Sequence, residues 1–170
     1  MSQDPVSYVT GGRELLNDIG PLWRELNRHH AGLSPHFSSE IAGNDYERRK
    51  QGLLKKPHLF VILAQTPEGD GVGYCVNSAE PGDKGEIESI YIKPPYRRRG
   101  VGAELMQRSL AWLNDEMKVT QKIVGVAAGN EQAYGFYAKF GFYPRAMILT
   151  QKHAEPDIIP PESNCGGHQG

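Results

Sequence analysis

The 170-residue sequence contains only two cysteines, Cys75 and Cys165, and it lacks any long apolar run. Cys75 lies in an apolar stretch and Cys165 in a polar tail, so the pair does not suggest a disulfide-stabilised secreted domain. A membrane span needs about 18 consecutive apolar residues, and the N-terminus has neither region of a secretory signal peptide. We therefore expect a cytoplasmic protein without membrane association.

The sequence also lacks an excess of charge of one sign, because 19 Lys and Arg residues balance 20 Asp and Glu residues. A nucleic-acid-binding surface needs a broad basic stripe, whereas the dense basic cluster here is confined to Arg97, Arg98 and Arg99. His29 and His30 point in different directions on a helix and have no suitably spaced acidic partner, which argues against a metal site. We expect neither a nucleic-acid partner nor a metal cofactor.

Hydrophobic periodicity predicts one α/β domain over residues 1–153, followed by a disordered tail over residues 154–170. The predicted sheet is mixed and mostly antiparallel, with helices on both faces. Apolar stretches between turn signals predict strands at Val6–Thr10, His58–Gln65, Gly71–Ala79, Glu86–Lys93, Lys122–Ala127 and Phe142–Gln151. Helical spacing predicts helices at Glu14–His30, kinked or split at Pro21, and at Asp45–Leu54, Gly100–Lys118 and Asn130–Phe140.

The most informative stretch is Arg97-Arg98-Arg99-Gly100-Val101-Gly102, between a predicted strand and a predicted helix. The first N–H groups of a helix have no partner within it, and the helix dipole places partial positive charge there. Glycine lets a ligand approach the backbone, and arginine stays charged at neutral pH. The stretch is neither a P-loop nor a G-x-G-x-x-G loop. Alone, it predicts either a phosphate-binding turn or a basic surface loop.

A second informative stretch runs from Asn130 to Phe142 and has the pattern N-x-x-A-x-x-F-Y-x-K-x-G-F. Asn130 is suited to cap a helix and Gly141 to end it, while the apolar residues between them share one helix face. Packing explains most of this pattern. It does not explain why position 137 is a tyrosine rather than a leucine.

Together, the two stretches resemble the cofactor motifs of the GNAT superfamily of acyl-CoA-dependent N-acyltransferases, in the same order and at a similar separation. The resemblance covers residues 58–151 and implies the acyl-CoA N-acyltransferase fold. It also implies that an acetyl group moves from acetyl-CoA to a primary amine, of a small molecule or a peptide, by direct attack in a ternary complex. A homodimer is compatible with the resemblance.

The resemblance assigns roles to individual residues. The backbone of the glycine turn would bind the pyrophosphate, and the strand before it would pair with the pantetheine arm and direct an N–H at the thioester oxygen. Asn130 would bind near the pantetheine, and Tyr137 would protonate the departing thiolate. The residues expected to bind the cofactor are Ile90, Tyr91, Ile92, Arg97, Arg98, Arg99, Gly100, Val101, Gly102, Ala103, Asn130, Phe136 and Lys139.

Acyl transfer also needs a neutral amine, and Glu88 is the preferred candidate for a catalytic residue that provides it. Strict alternation places Glu86 and Glu88 on the strand face that Ile90 and Ile92 share, beside the expected thioester site. Glu88 could act as a base, bind a cationic acceptor or form a structural ion pair. The next predicted strand, Lys122–Ala127, carries no carboxylate that could serve instead.

Two alternatives use the same scaffold. A non-catalytic acyl-CoA-binding or sensing module would keep the glycine turn but needs neither acid nor base, and the presence of Tyr137 favours catalysis. An enzyme that modifies a lysine or an N-terminus of a protein would differ in its acceptor groove. The net charge of −1, with Glu86 and Glu88 near the site, favours a cationic acceptor of either size.

Overall fold

Five strands form one sheet in the order β1-β2-β3-β4-β5 in the computed structural model, which describes residues 5–152. Each of the first three strands pairs antiparallel with the next, and β5 pairs parallel to β4. This is the mixed, mostly antiparallel sheet that the sequence predicts. The strands are β1 Ser7–Gly11, β2 His58–Gln65, β3 Gly71–Ala79, β4 Lys84–Ile92 and β5 Gln121–Val124.

Five α-helices surround the sheet, and α4 continues into a π-helical turn, Trp112–Glu116. Together these two segments correspond to the helix predicted at Gly100–Lys118. No helix between residues 5 and 152 combines the length and the apolar character needed to cross a bilayer. The helices are α1 Leu16–Leu33, α2 Ser38–Ala42, α3 Tyr46–Leu54, α4 Val101–Ala111 and α5 Tyr134–Ala138.

Helix α1 continues through Pro21, so of the two effects that the sequence suggests, a kink or a split, the split does not occur. Proline removes the hydrogen bond to the carbonyl four residues earlier, which is that of Asn17. Both residues are exposed, and water can satisfy a carbonyl on the outer side of a helix. A proline on the solvent side of a helix therefore need not end it.

The sheet is covered on both faces by separate groups of buried side chains. The face packed against α1 and α3, which we call the α1 face, is built around Leu16, Ile19, Leu53, Tyr74 and Val76. The face packed against α4 and α5, which we call the α4 face, is built around Ile62, Ile87, Leu105, Met106 and Leu113. Each fully buried aliphatic side chain contributes about 1.5–3 kcal/mol, so both layers stabilise the sheet.

Strand β4 contains a bulge at Glu88. Val76 of β3 lies opposite Ser89, but the next residue, Asn77, lies opposite Ile87. Glu88 is therefore an extra residue without a partner position in β3. A bulge of this kind shifts the alternation of side chains by one position beyond it.

Because of the bulge, Glu86 and Glu88 do not lie on the face that the sequence predicts. Ile90 and Ile92 pack against the core of the α4 face, whereas Tyr91 belongs to the core of the α1 face. Glu86 and Glu88 both approach Lys56, which follows α3, and so lie on the α1 face. The prediction that the two glutamates share a face with the two isoleucines is wrong, because it assumes unbroken alternation.

After β4, the chain forms shorter and fewer strands than the sequence predicts. Strand β5 ends at Val124, and residues 142–152 do not form the strand predicted at Phe142–Gln151. A strand needs a neighbouring backbone edge and a face to bury, and β5 offers an edge of only four residues. The predicted disordered tail, residues 154–170, lies outside the described residues. Four large apolar side chains of residues 142–152 are 74–91% exposed, namely Tyr143, Met147, Ile148 and Leu149.

Candidate active site

The glycine turn before α4 contains two residues with left-handed backbone conformation. Arg98 has a φ of 58° and Gly100 a φ of 82°. This conformation costs a residue with a side chain roughly 1–2 kcal/mol, a cost that glycine avoids. Left-handed residues in a turn can make successive N–H groups converge on one concave surface, which suits an anion.

Helix α4 begins directly after this turn. Gly100 is its N-cap residue, and the helix opens with a hydrogen bond of 3.0 Å from the Glu104 N–H to the Gly100 carbonyl. The N–H groups of residues 101–103 therefore have no acceptor within the helix. Glycine has no side chain to cap them, so they and the positive end of the helix dipole remain for a ligand.

Gly102 brings α4 close to β4 and α5. A Cβ atom on Gly102 would lie 3.3 Å from Ile92 Cδ1 and 3.3 Å from Phe136 Cε2. This close approach brings together three residues predicted to bind the cofactor. The structure thus gives Gly102 a packing role, whereas Gly100 is needed for its backbone conformation.

Two residues of β4 that are predicted to bind the cofactor, Ile90 and Ile92, have backbone groups that point away from β3. The N–H of Lys93 donates to the Val72 carbonyl at 2.9 Å. Residues of an antiparallel strand that bond to the same neighbour alternate along the chain, so Tyr91 also bonds toward β3. The N–H and C=O groups of Ile90 and Ile92 therefore point to the opposite edge of β4.

That edge is open beside Ile90. The pairing of β4 with β5 ends at Ile87 and Val124, so β5 does not extend along the last part of β4. The Nε of Arg97 donates to the Ile92 carbonyl at 2.9 Å and ties the glycine turn to this part of the strand. An extended ligand arm could pair with the remaining groups as an added strand would.

Tyr137 lies on the α4 face and is 9% exposed. Its ring packs against Phe136 and Phe142, with centroid separations of 5.3 and 6.4 Å. Burial raises the pKa of Tyr137 to about 12, so the phenol stays protonated at neutral pH. A neutral phenol in apolar surroundings can donate a proton to a departing thiolate.

Two of the three arginines rest on aromatic rings. The guanidinium of Arg97 lies 5.7 Å from the ring centre of Tyr91, and that of Arg99 lies 4.9 Å from the ring centre of Tyr96. Such cation–π contacts contribute about 0.5–1 kcal/mol at exposed sites. They keep positive charge beside the glycine turn.

Asn130 and Lys139 are less closely linked to this arrangement. Within the described residues Asn130 makes no side-chain cap to the helix that follows it; instead its Oδ1 accepts from Gln132 Nε2 at 3.3 Å. The predicted capping role of Asn130 is therefore wrong, because the chain enters α5 through a 3-10 turn, Glu131–Ala133. Lys139 is exposed at the end of α5. Their predicted contacts with a cofactor stay predictions.

Glu88 is held by three partners on the α1 face. Its carboxylate lies 2.9 Å from Arg49 Nη2 and 2.8 Å from Lys56 Nζ, and it accepts a hydrogen bond of 2.6 Å from Ser78 Oγ. The side chain is 4% exposed. Burial pushes the pKa of Glu88 upward, but the bonds from Lys56 and Ser78 and the charge of Arg49 outweigh it. The pKa of Glu88 therefore lies below its usual value.

These contacts bear on the three roles considered for Glu88. A carboxylate with a lowered pKa is a weak base, and one with its oxygens engaged has little room for a ligand. Arg49 also donates to the backbone carbonyl of Glu88 at 3.1 Å, which links α3 to the bulge. The geometry favours the structural ion pair over the base and over acceptor binding.

Sequence reasoning missed a second carboxylate, that of Glu25 in α1. The hydroxyl of Tyr91 donates to Glu25 Oε2 at 3.1 Å, and Lys93 Nζ lies 4.0 Å from Glu25 Oε1. Tyr91 is a predicted cofactor residue, but its side chain lies on the α1 face. Nothing in the sequence marks Glu25, which occupies an ordinary polar position of an amphipathic helix.

Open space on the α1 side lies next to Lys93. A cavity of about 320 Å³ is lined by Lys93 together with Asp18 and Asp70, among other residues. A second cavity, of about 490 Å³, shares Asp18 and extends toward β1. Across residues 5–152, no group of three His, Cys, Asp or Glu side chains could hold a metal ion.

A family model and a curated relative that match this chain both describe acetyltransferases. Residues 23–142 match the family model described as the acetyltransferase (GNAT) family. An N-alpha-acetyltransferase of Sulfolobus acidocaldarius is 34% identical over an alignment of 86 residues that covers 44% of this chain and 51% of that protein. The chain therefore spans about half the length of this curated relative.

Solved structures share the fold. A GCN5-related N-acetyltransferase of Ralstonia eutropha has a TM-score of 0.68 at 16% identity and covers 87% of this chain and 99% of its own. An aminoglycoside N-acetyltransferase in complex with CoA has a TM-score of 0.59 at 16% identity and covers 89% of this chain and 97% of its own. At such low identity the likeness shows the fold alone.

Proposed function

Because this chain belongs to the acetyltransferase (GNAT) family, we propose that it transfers an acetyl group from acetyl-CoA to a primary amine by direct attack in a ternary complex. One observation carries the proposal: Val101 directly after the glycine turn, Ile90 and Ile92 at the open end of β4, and Tyr137 all belong to the packed cluster of the α4 face. They combine an anion site, an edge for an extended arm and a neutral acid.

The residues of the α4 face fit this cosubstrate. The N–H groups of residues 101–103 would hold the pyrophosphate, and the arginines at 97–99 would add charge around it. The backbone groups of Ile90 and the N–H of Ile92 would pair with the pantetheine amides. Bound acetyl-CoA supplies an activated thioester, and the chain supplies the groups that stabilise and move charge.

An N–H of this edge, at Ile90 or Ile92, would stabilise the oxyanion that develops when the amine attacks the carbonyl carbon. A C–N bond forms, the C–S bond breaks, and Tyr137 gives its proton to the leaving sulfur. A proton released by the acylated nitrogen then restores the phenol of Tyr137. The proton that an ammonium loses before attack goes to water.

In this proposal Glu88 positions the strand and does not accept a proton. Its ion pairs with Arg49 and Lys56 fasten the bulge to α3, and the bulge directs Ile90 and Ile92 to the α4 face. Catalysis by Glu88 as a base would require it to release these partners during each turnover. A positioning role needs no such rearrangement.

The comparisons support an amine acceptor of either size. The relative from Sulfolobus acidocaldarius is named an N-alpha-acetyltransferase, and a structural neighbour is an aminoglycoside N-acetyltransferase. We propose a cationic primary amine, on a peptide or a small molecule, as the acceptor. The homodimer and the cytoplasmic location expected from the sequence stay predictions, and the mechanism requires neither.

A direct assay tests the function. The protein is incubated with acetyl-CoA and one amine from a panel: a peptide with N-terminal alanine, spermidine or kanamycin. Free CoA is measured with a chromogenic thiol reagent, and the acetylated amine is measured by mass spectrometry. We expect at least one amine to give equal amounts of both products. Calorimetric CoA binding without amine-dependent thiol release would instead favour the non-catalytic module.

A further inference from the structure

Three carboxylates lie near β4 on the α1 face, but they differ in how a ligand could reach them. Glu86 lies opposite Ile123, where β4 and β5 are still paired. Glu88 is 4% exposed and already has three partners. Glu25 is 32% exposed and contacts β4 at Tyr91, beyond the last pair with β5. Among these three carboxylates, only Glu25 is both exposed to a ligand and in contact with the part of β4 that has an open edge.

Glu25 is 32% exposed and accepts a close hydrogen bond at one of its two oxygens. The Tyr91 hydroxyl donates to Oε2 at 3.1 Å, while Lys93 Nζ lies 4.0 Å from Oε1, which is beyond hydrogen-bond distance. A carboxylate has about four acceptor positions, so this one has room for a further cation. Tyr91 is itself well fixed, because it is 7% exposed and lies beneath the guanidinium of Arg97.

We propose that Glu25 binds the ammonium group of the acceptor, that Tyr91 positions its carboxylate, and that Lys93 stays beside the carboxylate until the acceptor arrives. The inference rests on the proposed acetyl transfer and deepens it by identifying a binding site for the primary amine. Tyr91 stands between Ile90 and Ile92 in the chain, so the same three residues would face the acceptor on one side and the cofactor on the other.

The surroundings of Lys93 are consistent with its displacement. Its ammonium is held loosely by Glu25, and Lys93 also lines the cavity that contains Asp18 and Asp70. These two carboxylates offer the lysine another negatively charged place when a substrate ammonium takes its position. The substrate ammonium would then face Glu25, and the lysine ammonium would face Asp18 and Asp70.

The substitution Glu25→Gln tests the proposal, because glutamine keeps the shape and can still accept the hydrogen bond from Tyr91. We expect the KM of the panel amine with the highest kcat/KM to rise by roughly tenfold to hundredfold, since bonds to charged groups are among the stronger ones. The kcat should stay within about threefold and the KM of acetyl-CoA should not change. Lys93→Met should lower the amine KM by roughly twofold to fivefold by removing a competing cation.

Two further measurements separate charge recognition from a general disturbance. Glu40→Gln removes an equal charge from an exposed position of the short helix α2 and should leave the amine KM within about twofold. Calorimetry with spermidine alone measures acceptor binding without turnover. Its affinity should fall in the Glu25→Gln protein by about the same factor as the KM rises.

The outcomes distinguish the inference from the proposed function. Acetyl transfer by both proteins with an unchanged amine KM overturns the inference and leaves the proposed function standing. A fall in kcat with an unchanged KM also overturns it, because Glu25 would then act in the chemistry instead of acceptor binding. If the wild-type protein acetylates no amine in the panel, the proposed function fails. Equal spermidine affinities of the two proteins would then reject the inference as well.

Discussion

The two faces of the sheet present different kinds of groups to their proposed substrates. On the α4 face the site consists of backbone N–H groups, glycines and a phenol in apolar surroundings. On the α1 face it consists of the charged side chains of Glu25 and Lys93, and Glu88 in its ion pairs supports the strand beside them. A thioester and a pyrophosphate need donors at fixed positions, whereas a cationic amine needs a carboxylate. Backbone conformation should therefore control one substrate and side-chain charge the other.

The largest effect is expected from Tyr137→Phe on the α4 face. The change removes the acidic proton but keeps the ring, so kcat should fall by about 10²–10⁴ while CoA affinity stays within about twofold. Burial raises the pKa of Tyr137 to about 12, so its loss of a proton should reduce the wild-type kcat only as the pH approaches that value. Steady-state kinetics and calorimetry measure the two quantities.

Tyr143→Phe is the matched control, because Tyr143 is 74% exposed and lies outside the regular elements. It should leave both kcat and CoA affinity unchanged. An equal kcat for Tyr137→Phe and the wild type would remove the phenol from the mechanism.

The next effect is expected on the α1 face, where Glu88→Ala should lower the free energy of unfolding by about 2–3 kcal/mol. The change leaves Arg49 and Lys56 without their shared carboxylate and frees the bulge from α3. Urea unfolding measures the loss. Glu47→Ala removes an exposed partner of Lys50 and should cost less than about 1 kcal/mol.

The pH dependence of the same site follows from the lowered pKa of Glu88. Its contribution to stability is present above the unfolded-state value of about 4.3 and is lost as the pH falls through the folded-state pKa. The difference in unfolding free energy between the wild type and Glu88→Gln should therefore shrink in acid. If Glu88→Gln instead removes the acidic limb of kcat/KM without loss of stability, Glu88 is a base.

A smaller effect is expected from Gly100→Val in the glycine turn. Gly100 has a φ of 82°, and a β-branched residue there costs about 1–3 kcal/mol, so CoA affinity should fall roughly tenfold. Gly82→Val places the same strain in the turn between β3 and β4, where φ is 77°. Gly82→Val should lower stability without changing CoA affinity. An equal loss of affinity in both variants would contradict the proposal that the glycine turn binds CoA.

The smallest effect is expected from Arg98→Ala. Arg98 is exposed, and a single exposed charge contributes little and is screened by salt. CoA affinity should fall by less than about fivefold at low salt and by less at high salt, as calorimetry at two ionic strengths would show. A larger loss than that of Gly100→Val would mean that side-chain charge dominates on the α4 face too.

The fold could be predicted best where local signals agree. The observed β2 and β3, at His58–Gln65 and Gly71–Ala79, have the predicted bounds because each is an apolar run next to a polar turn. The bulge at Glu88 could not be predicted, since no glycine or proline marks it. Residues 142–151 have the composition of a strand, but composition does not supply the partner edge that a strand needs.

In the candidate site, too, features with a local sequence signal could be predicted and contacts between distant residues could not. The positions of the glycine turn before α4 and of Tyr137 on a helix could be predicted because their motifs are local in the sequence. Glu25 could not, because its partner Tyr91 lies 66 positions away in the sequence. Arg49 lies 39 positions from Glu88, and this long-range ion pair favours a positioning role among the three roles that the sequence leaves open for the glutamate.

The bulge in β4 makes the number of residues in this strand as important as their identity. If Glu88 were kept in a strand without the bulge, strict alternation would exchange the two faces for every side chain on one side of it. Isoleucine would then meet the charged layer, and a carboxylate would meet the apolar layer. Deleting Glu88 would instead remove the bulge and leave the other side chains on their faces, because Val76 would still lie opposite Ser89 and Asn77 opposite Ile87. Inserting one further residue in β4, which the bulge cannot absorb, should therefore be more damaging than most substitutions.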